Sequence, residues 1–198
     1  VPHLRDILYR HSIDEEFLDT DTDSIAEPSF SQTLEQAIEN LLEQVDHLPP
    51  QDPKFDALAQ ILRDKAEASN HRTMVFSTFR HTLRYLHQRL QEEGYRVAVV
   101  HGGVADDERV DLRRRFRKEQ DDSEAIDVLL FSEVGSEGLD YQFCDCIVNY
   151  DLPWNPMKIE QRIGRIDRNG QQSESVLIYN FVTPGTVEAE IHDRCLLR

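Results

Sequence analysis

TMVFSTFRHTLRYLHQRLQEEGYRVAVVHGG, residues 73–103, reads as strand, helix, strand. Thr73–Ser77 is a short β-rich run. Phe79, Leu83, Leu86 and Leu90 then recur at helical spacing over 79–93, which makes one apolar stripe. Gly94 supplies the stop, because glycine accepts the left-handed backbone that ends many helices. Tyr95–Val100 is a second β-rich run. Parallel neighbours need such a crossover, since a tight hairpin joins only antiparallel strands. The alternation continues. Ile126–Phe131, Cys146–Tyr150 and Val176–Val182 are β-rich, and a helix is expected over about 105–118 that carries Val110, Leu112 and Phe116. This pattern predicts an α/β fold, a parallel sheet with helices on both faces.

Working outward, a helix is expected from about Lys54 to Ala68, with Phe55, Leu58, Ile61 and Leu62 on one side. Before it, HLPPQDP (47–53) holds three prolines that end an earlier helix. That earlier helix spans 31–47, carries Leu34, Ile38, Leu41, Leu42 and Val45, and has Ser31 as its N-cap. Residues 14–30 contain seven acids and few large apolar groups, which reads as a mobile linker or exposed loop. The expected division is an acidic helical and linker segment over 1–50 and an α/β lobe over 51–198.

The chain has 198 residues and is 39% hydrophobic, enough for an ordinary globular core. No run of ~18 apolar residues is present, so no membrane span is expected. The start, VPHLRDILYR, lacks the apolar core of a signal peptide. Cys144, Cys146 and Cys195 are too few and too odd in number for a disulfide framework, which fits a cytoplasmic setting. Cys144 and Cys146 read as core or strand-end thiols, and no metal site is expected. The net charge is −16, of which residues 1–50 carry −10 with 12 acids and 2 bases. Such a chain has weak non-specific affinity for nucleic acid by itself.

Ligands of open α/β sheets sit at the carboxyl ends of the strands. Ser77, Thr78, Phe79 and Arg80 follow the first strand, where hydroxyls either cap the next helix or help it hold a phosphate. His101-Gly102-Gly103 follows the second, where paired glycines permit close backbone approach or an ordinary turn. SEVGSEGLD (132–140) follows the third. Amides beside Gly135 and Gly138 suit an anion, and Asp140 suits a ribose hydroxyl. No Gly-Lys-Ser/Thr follows, so this is not a P-loop.

PWNPMKIEQRIGRIDRNGQ (153–171) predicts a helix from Pro156 to Asn169-Gly170. At ~100° per residue, Ile159, Ile163 and Ile166 fall on one stripe, with Gln161, Arg165 and Arg168 opposite. A solvated polar face and a phosphate-binding face both fit. Arginine forks match phosphate oxygens, and Trp154 stands in the loop just before. The tract Arg113, Arg114, Arg115, Arg117, Lys118 reads as a solvated helix face, with approach to nucleic acid as the alternative.

In order, VFSTF (75–79), HGG (101–103), FSEVGSEGLD (131–140) and QRIGRIDRNGQ (161–171) resemble motifs IV, IVa, V and VI of superfamily 2 helicases. Gln161, Arg162, Gly164, Arg165 and Arg168 match Q-R-x-G-R-x-x-R. DLPWNP (151–156) and Asn169-Gly170-Gln171 resemble the Swi/Snf-like branch, in particular its bacterial RNA-polymerase-associated group. The resemblance covers about residues 50–185. It implies the second RecA-like lobe of a motor that hydrolyses ATP with Mg²⁺ while moving on nucleic acid, DNA in preference to RNA. It implies arginine fingers at Arg165 and Arg168, with Gln161 placing the phosphates or the attacking water. Gly138, Asp140 and Arg162 belong to the nucleotide side. Ser77, Thr78, His101, Gly102, Ser132 and Arg109 line the nucleic-acid track.

The sequence departs from the complete motor in one respect. It holds no P-loop lysine and no Asp-Glu box, so those groups are expected on a first lobe outside this chain, and the chain alone is expected to be inactive. Three functions follow as alternatives: an ATP-driven double-stranded DNA translocase, a strand-separating helicase, and a non-catalytic partner-binding lobe. Intact Gln161, Arg165 and Arg168 argue against the last.

Overall fold

The computed structural model describes residues 51–133 and 139–186, together with Glu43 and Ala189. The chain divides into two units, residues 1–52 and 53–198, and every element below belongs to the second. Apart from Glu43, the acidic stretch 14–30 and the helix expected over 31–47 lie outside the described residues.

The elements run α1 (Pro53–Glu67), β1 (Thr73–Phe76), α2 (Arg80–Glu92), β2 (Val97–Val100), α3 (Asp106–Phe116), β3 (Val128–Phe131), β4 (Cys146–Asn149), α4 (Pro156–Ile163) and β5 (Leu177–Asn180). The strands form one sheet in the order β2-β3-β1-β4-β5. Each neighbouring pair is parallel: Val75 stands beside Leu130 and Val148, Val99 beside Leu130, and Val148 beside Tyr179. β1 is thus central, and its loop neighbours that of β4.

Side chains alternate across the strands, so each face has its own core. On one face Val75, Val128, Leu130, Cys146 and Val148 pack under α1 and α2, through Phe55, Leu58, Leu62, Leu83, Leu86 and Leu90. On the other, Met74, Phe76, Leu129, Phe131 and Ile147 pack under α3, Tyr141, Phe143 and Ile166, with Leu112 and Phe116 from the helix. Helices therefore cover both faces, as the alternation predicts. No helix among the described residues is long and apolar enough to cross a membrane.

The helix ends have local causes. α2 closes where Gly94, at φ +88°, lets its N–H reach the Gln91 carbonyl and the Tyr95 N–H reach the Leu90 carbonyl. α4 begins with Pro156 after Asn155, whose side chain accepts from the Met157 N–H at 3.0 Å. α3 ends against a buried cation. Arg72 donates to the carbonyls of Phe116 (2.8 Å), Arg117 (2.8 Å) and Lys118 (2.7 Å), where the helix would otherwise leave acceptors unpaired.

Candidate functional site

The carboxyl edge of the sheet is tied together by Asp151, two residues beyond the end of β4. Its carboxylate accepts the Ser77 hydroxyl at Oδ2 and the Thr78 N–H at Oδ1, the latter at 2.7 Å. The Ser77 oxygen also accepts from the Phe79 N–H at 3.2 Å. Ser77 is fully buried, so its hydroxyl holds the β1 loop from beneath. Phe79 and Trp154, in the β1 and β4 loops, are exposed.

At the next loop, His101 accepts the Gly103 N–H on Nδ1 at 3.0 Å. Arg109 reaches back from α3 to the carbonyls of Val104 (2.9 Å), His101 (3.2 Å) and Gly102 (3.2 Å). It shapes this loop, with Gly102 exposed at its tip. Ser132 lies at the end of β3, nearly buried. Glu133 beside it receives Lys158 of α4 and lies 3.6 Å from Arg162.

Arg162, expected on the nucleotide side, sits inside the lobe. It is 3% exposed, donates to Asn149 Oδ1 at 2.7 Å and lies over the Phe76 ring at 5.0 Å. Burial weakens its hold on its proton, and the charges of Asp151 and Glu133 oppose that shift. The sequence carried a signal for this position. Arg162 is three residues after Ile159 and one before Ile163, which places it on the flank of the apolar stripe.

The helix predicted to run from Pro156 to Asn169 ends at Ile163. Gly164 caps it, and the chain continues as turns through Gly170. Gln161, Arg165 and Arg168 therefore do not share one helical face, which corrects the expectation from periodicity. The physical reason is burial: Ile166 must enter the core under α3, while Ile159 and Ile163 pack with Leu152 and Val182 in a separate cluster. A straight helix cannot serve both. Gln161 is exposed on α4, Arg165 is half-buried, and Arg168 stands on the turn with 52% of its side chain exposed.

The turn is fastened to the loop that follows β3. The Tyr141 N–H donates to the Arg165 carbonyl at 2.9 Å, and Arg168 forms an ion pair with the Asp140 carboxylate. Asp140 and the two arginines thus come together, while Ser77, Thr78, His101, Gly102 and Ser132 follow the carboxyl ends of their strands. Gly138 lies outside the described residues. Tyr141 packs fully inside, and burial pushes its hydroxyl up to about 12. Among the described residues no three His, Cys, Asp or Glu side chains converge as metal ligands.

The basic tract of α3 is engaged within the lobe. Arg113 donates to the Asp140 carbonyl at 2.6 Å, Arg114 pairs with Asp111, and Arg115 donates to the Glu124 carbonyl. Arg117 lies over the Phe143 ring, and Lys118 pairs with Asp122 and Glu124.

The model of the helicase conserved C-terminal domain matches residues 53–170, more than half of the chain. The uncharacterized ATP-dependent helicase YqhH of Bacillus subtilis (strain 168) is 40% identical over 128 residues, 65% of this chain and 22% of that protein. The RNA polymerase-associated protein RapA of Vibrio cholerae (strain M66-2) is 36% identical over 132 residues, 66% of this chain and 13% of that protein. The chain thus spans less than a quarter of the length of either relative. The C-terminal part of the Fun30 ATPase domain superposes with a TM-score of 0.63 at 24% identity, over 81% of this chain and 51% of that one. The C-terminal domain of the DEAD-box protein Dbp5 gives 0.57 at 26%, over 73% and 77%. The parallel sheet with helices on both faces is the RecA-like lobe of such proteins.

Proposed function

We propose a function from one premise: the chain belongs to the helicase conserved C-terminal domain family. Its role is that of the second motor lobe of a nucleic-acid-stimulated ATPase, a cytoplasmic DNA translocase of the Swi/Snf-like kind. It works against a first RecA-like lobe that carries the P-loop lysine and the Mg²⁺-binding acids. The observation that carries this reading is the turn 164–168. Arg168 stands at the surface and Arg165 is half-buried, on a base fixed by buried Ile166 and by Asp140 and Tyr141. Two neighbouring arginines on a fastened turn, one of them exposed, fit a phosphate chain presented from outside.

When bound, ATP with Mg²⁺ supplies the phosphoryl group that passes to water. Arg165 and Arg168 meet the charge that develops on its oxygens, as arginine fingers do. Gln161, exposed on α4, orients the phosphates or the water. To reach the phosphate, Arg168 exchanges the Asp140 carboxylate for it. Asp140 is then released toward the ribose, the role the resemblance gives it together with Gly138. Arg162 acts from within, holding α4 to the ends of β3 and β4. The carboxyl edge reads the nucleic-acid backbone without base specificity. Thr78, His101 and Gly102 face the strand, Ser132 stands at the end of β3, and Ser77 and Arg109 shape the loops that present them.

The test is steady-state ATP turnover, with and without DNA, in the full-length protein that contains this lobe. Arg165→Ala and Arg168→Ala are each expected to lower kcat toward the about 10³–10⁵-fold loss measured when NTPase fingers are removed. Triplex displacement without duplex unwinding is expected of a translocase. Parental kcat in both variants defeats the finger assignment, turnover that DNA does not stimulate defeats the motor reading, and strand separation without triplex displacement selects the helicase alternative.

A further inference from the structure

One peptide plane joins the helix α3 to the turn that carries Arg165 and Arg168. The Asp140 carbonyl and the Tyr141 N–H belong to the same peptide group, and both ends are held. Arg113 donates from Nε to the carbonyl at 2.6 Å, while the N–H donates to the Arg165 carbonyl at 2.9 Å. The side chain of Asp140, anchored at the same residue, holds Arg168.

The Arg113 guanidinium is itself set in place. It lies 5.3 Å from the centre of the Phe143 ring and 5.9 Å from that of Tyr141. Both rings are nearly or wholly buried and pack edge-on against Phe116 of the same helix. A planar cation on aromatic faces has few alternative orientations. A charged donor on a carbonyl also polarises the peptide, which strengthens the N–H donation from its other end.

We propose that Arg113 is a positioning residue of the motor reaction. It clamps the Asp140–Tyr141 peptide and thereby sets the turn that presents Arg165 and Arg168. This rests on the finger role proposed above. Arg113 touches neither nucleotide nor nucleic acid in this assignment. Its neighbour Arg114, paired with Asp111 on the outer surface, has no such connection. That contrast separates a clamp from a general effect of the basic tract.

The experiment compares Arg113→Met, Arg113→Lys, Arg114→Met and Arg168→Ala in the full-length protein, with DNA-stimulated ATPase and thermal melting on each. Arg113→Met keeps the aliphatic stem. It is expected to lower kcat about ten- to hundredfold, the scale of a misplaced catalytic group, with KM for ATP and half-saturating DNA changed by less than about twofold. Arg113→Lys is expected to recover part of kcat, since an ammonium donates to the carbonyl but lacks the planar fork. Arg114→Met is expected to match the parent. In the Arg168→Ala background the Arg113→Met loss is expected to shrink, because the two act through one contact chain.

Three results overturn the clamp while leaving the finger reading intact, provided Arg168→Ala is impaired: parental kcat in both Arg113 variants, an equal loss in Arg114→Met, or full additivity with Arg168→Ala. Parental kcat in Arg168→Ala overturns the clamp together with the finger role of Arg168. If Arg113→Met melts below the assay temperature, Arg113→Lys and its cycle with Arg168→Ala decide by the same criteria.

Discussion

Ser77 donates its hydroxyl to the Asp151 carboxylate across the carboxyl ends of β1 and β4. The two residues are 74 apart in sequence, and both are buried. The same carboxylate takes the Thr78 N–H, so one side chain fixes the loop that opens α2. Removing either partner takes from the other a buried hydrogen bond that involves a charged group, which costs about 1–3 kcal/mol. Ser77→Ala and Asp151→Ala should each destabilise by that order, and the double variant should fall well short of their sum. Urea unfolding of the four proteins checks this; strict additivity would show that the bond contributes nothing to the lobe.

Arg162 and Arg168 differ in what their loss should do. Arg162 is buried on Asn149 and Phe76, so Arg162→Met should destabilise by about 2–3 kcal/mol, as hydrogen bonds to charged groups do. Arg168 is half exposed in a solvent-facing pair, so Arg168→Ala should change stability by less than about 1 kcal/mol. Thermal melts of the two variants should therefore separate. Equal melting temperatures would contradict the assignment of one arginine to the interior and one to the surface.

His71 is buried, with Asp127 Oδ1 at 3.6 Å and Arg72 and Arg96 nearby. Burial and, after it, the Arg72 charge hold its imidazole below the ordinary 6.5, against the pull of Asp127. The unfolded chain thus takes up this proton at a higher pH than the folded one. The stabilisation is complete above about pH 6.5 and is lost as pH falls below it. Urea midpoints from pH 8 to pH 5.5 should drop less steeply in His71→Gln than in the parent. Parallel curves would mean that His71 does not sense the transition.

Gly94 has φ +88°, and a Cβ there would meet no atom within 4 Å. Gly94→Ala should therefore show backbone strain alone, about 1–2 kcal/mol for an L-residue in the left-handed region. Chemical denaturation measures it. An unchanged stability would mean that the α2 end relaxes to another cap.

The architecture was legible in the local pattern of the chain. Period-two and period-3.6 apolar patterns are local consequences of burial, so 73–103 already reads as strand, helix, strand, and Leu83, Leu86 and Leu90 already mark the α2 face. The sequence also marked the loops at the carboxyl ends of the strands, because strand ends and glycines are local signals. The extent of α4 was not legible. Periodicity carried the helix through Arg168, while the structure ends it at Ile163, because Ile166 is claimed by the core beneath α3. That choice depends on residues far away in the chain and moves Arg165 and Arg168 from a helix face to a turn. The partners of polar side chains were hidden for the same reason. Asp151 on Ser77, Arg72 on the end of α3, and Arg113 on the Asp140 carbonyl are meetings of distant segments. A hydrogen bond forms only within about 3 Å and along a narrow direction. Only tertiary packing, which sets those distances, decided which arginines became internal fasteners and which stayed at the surface.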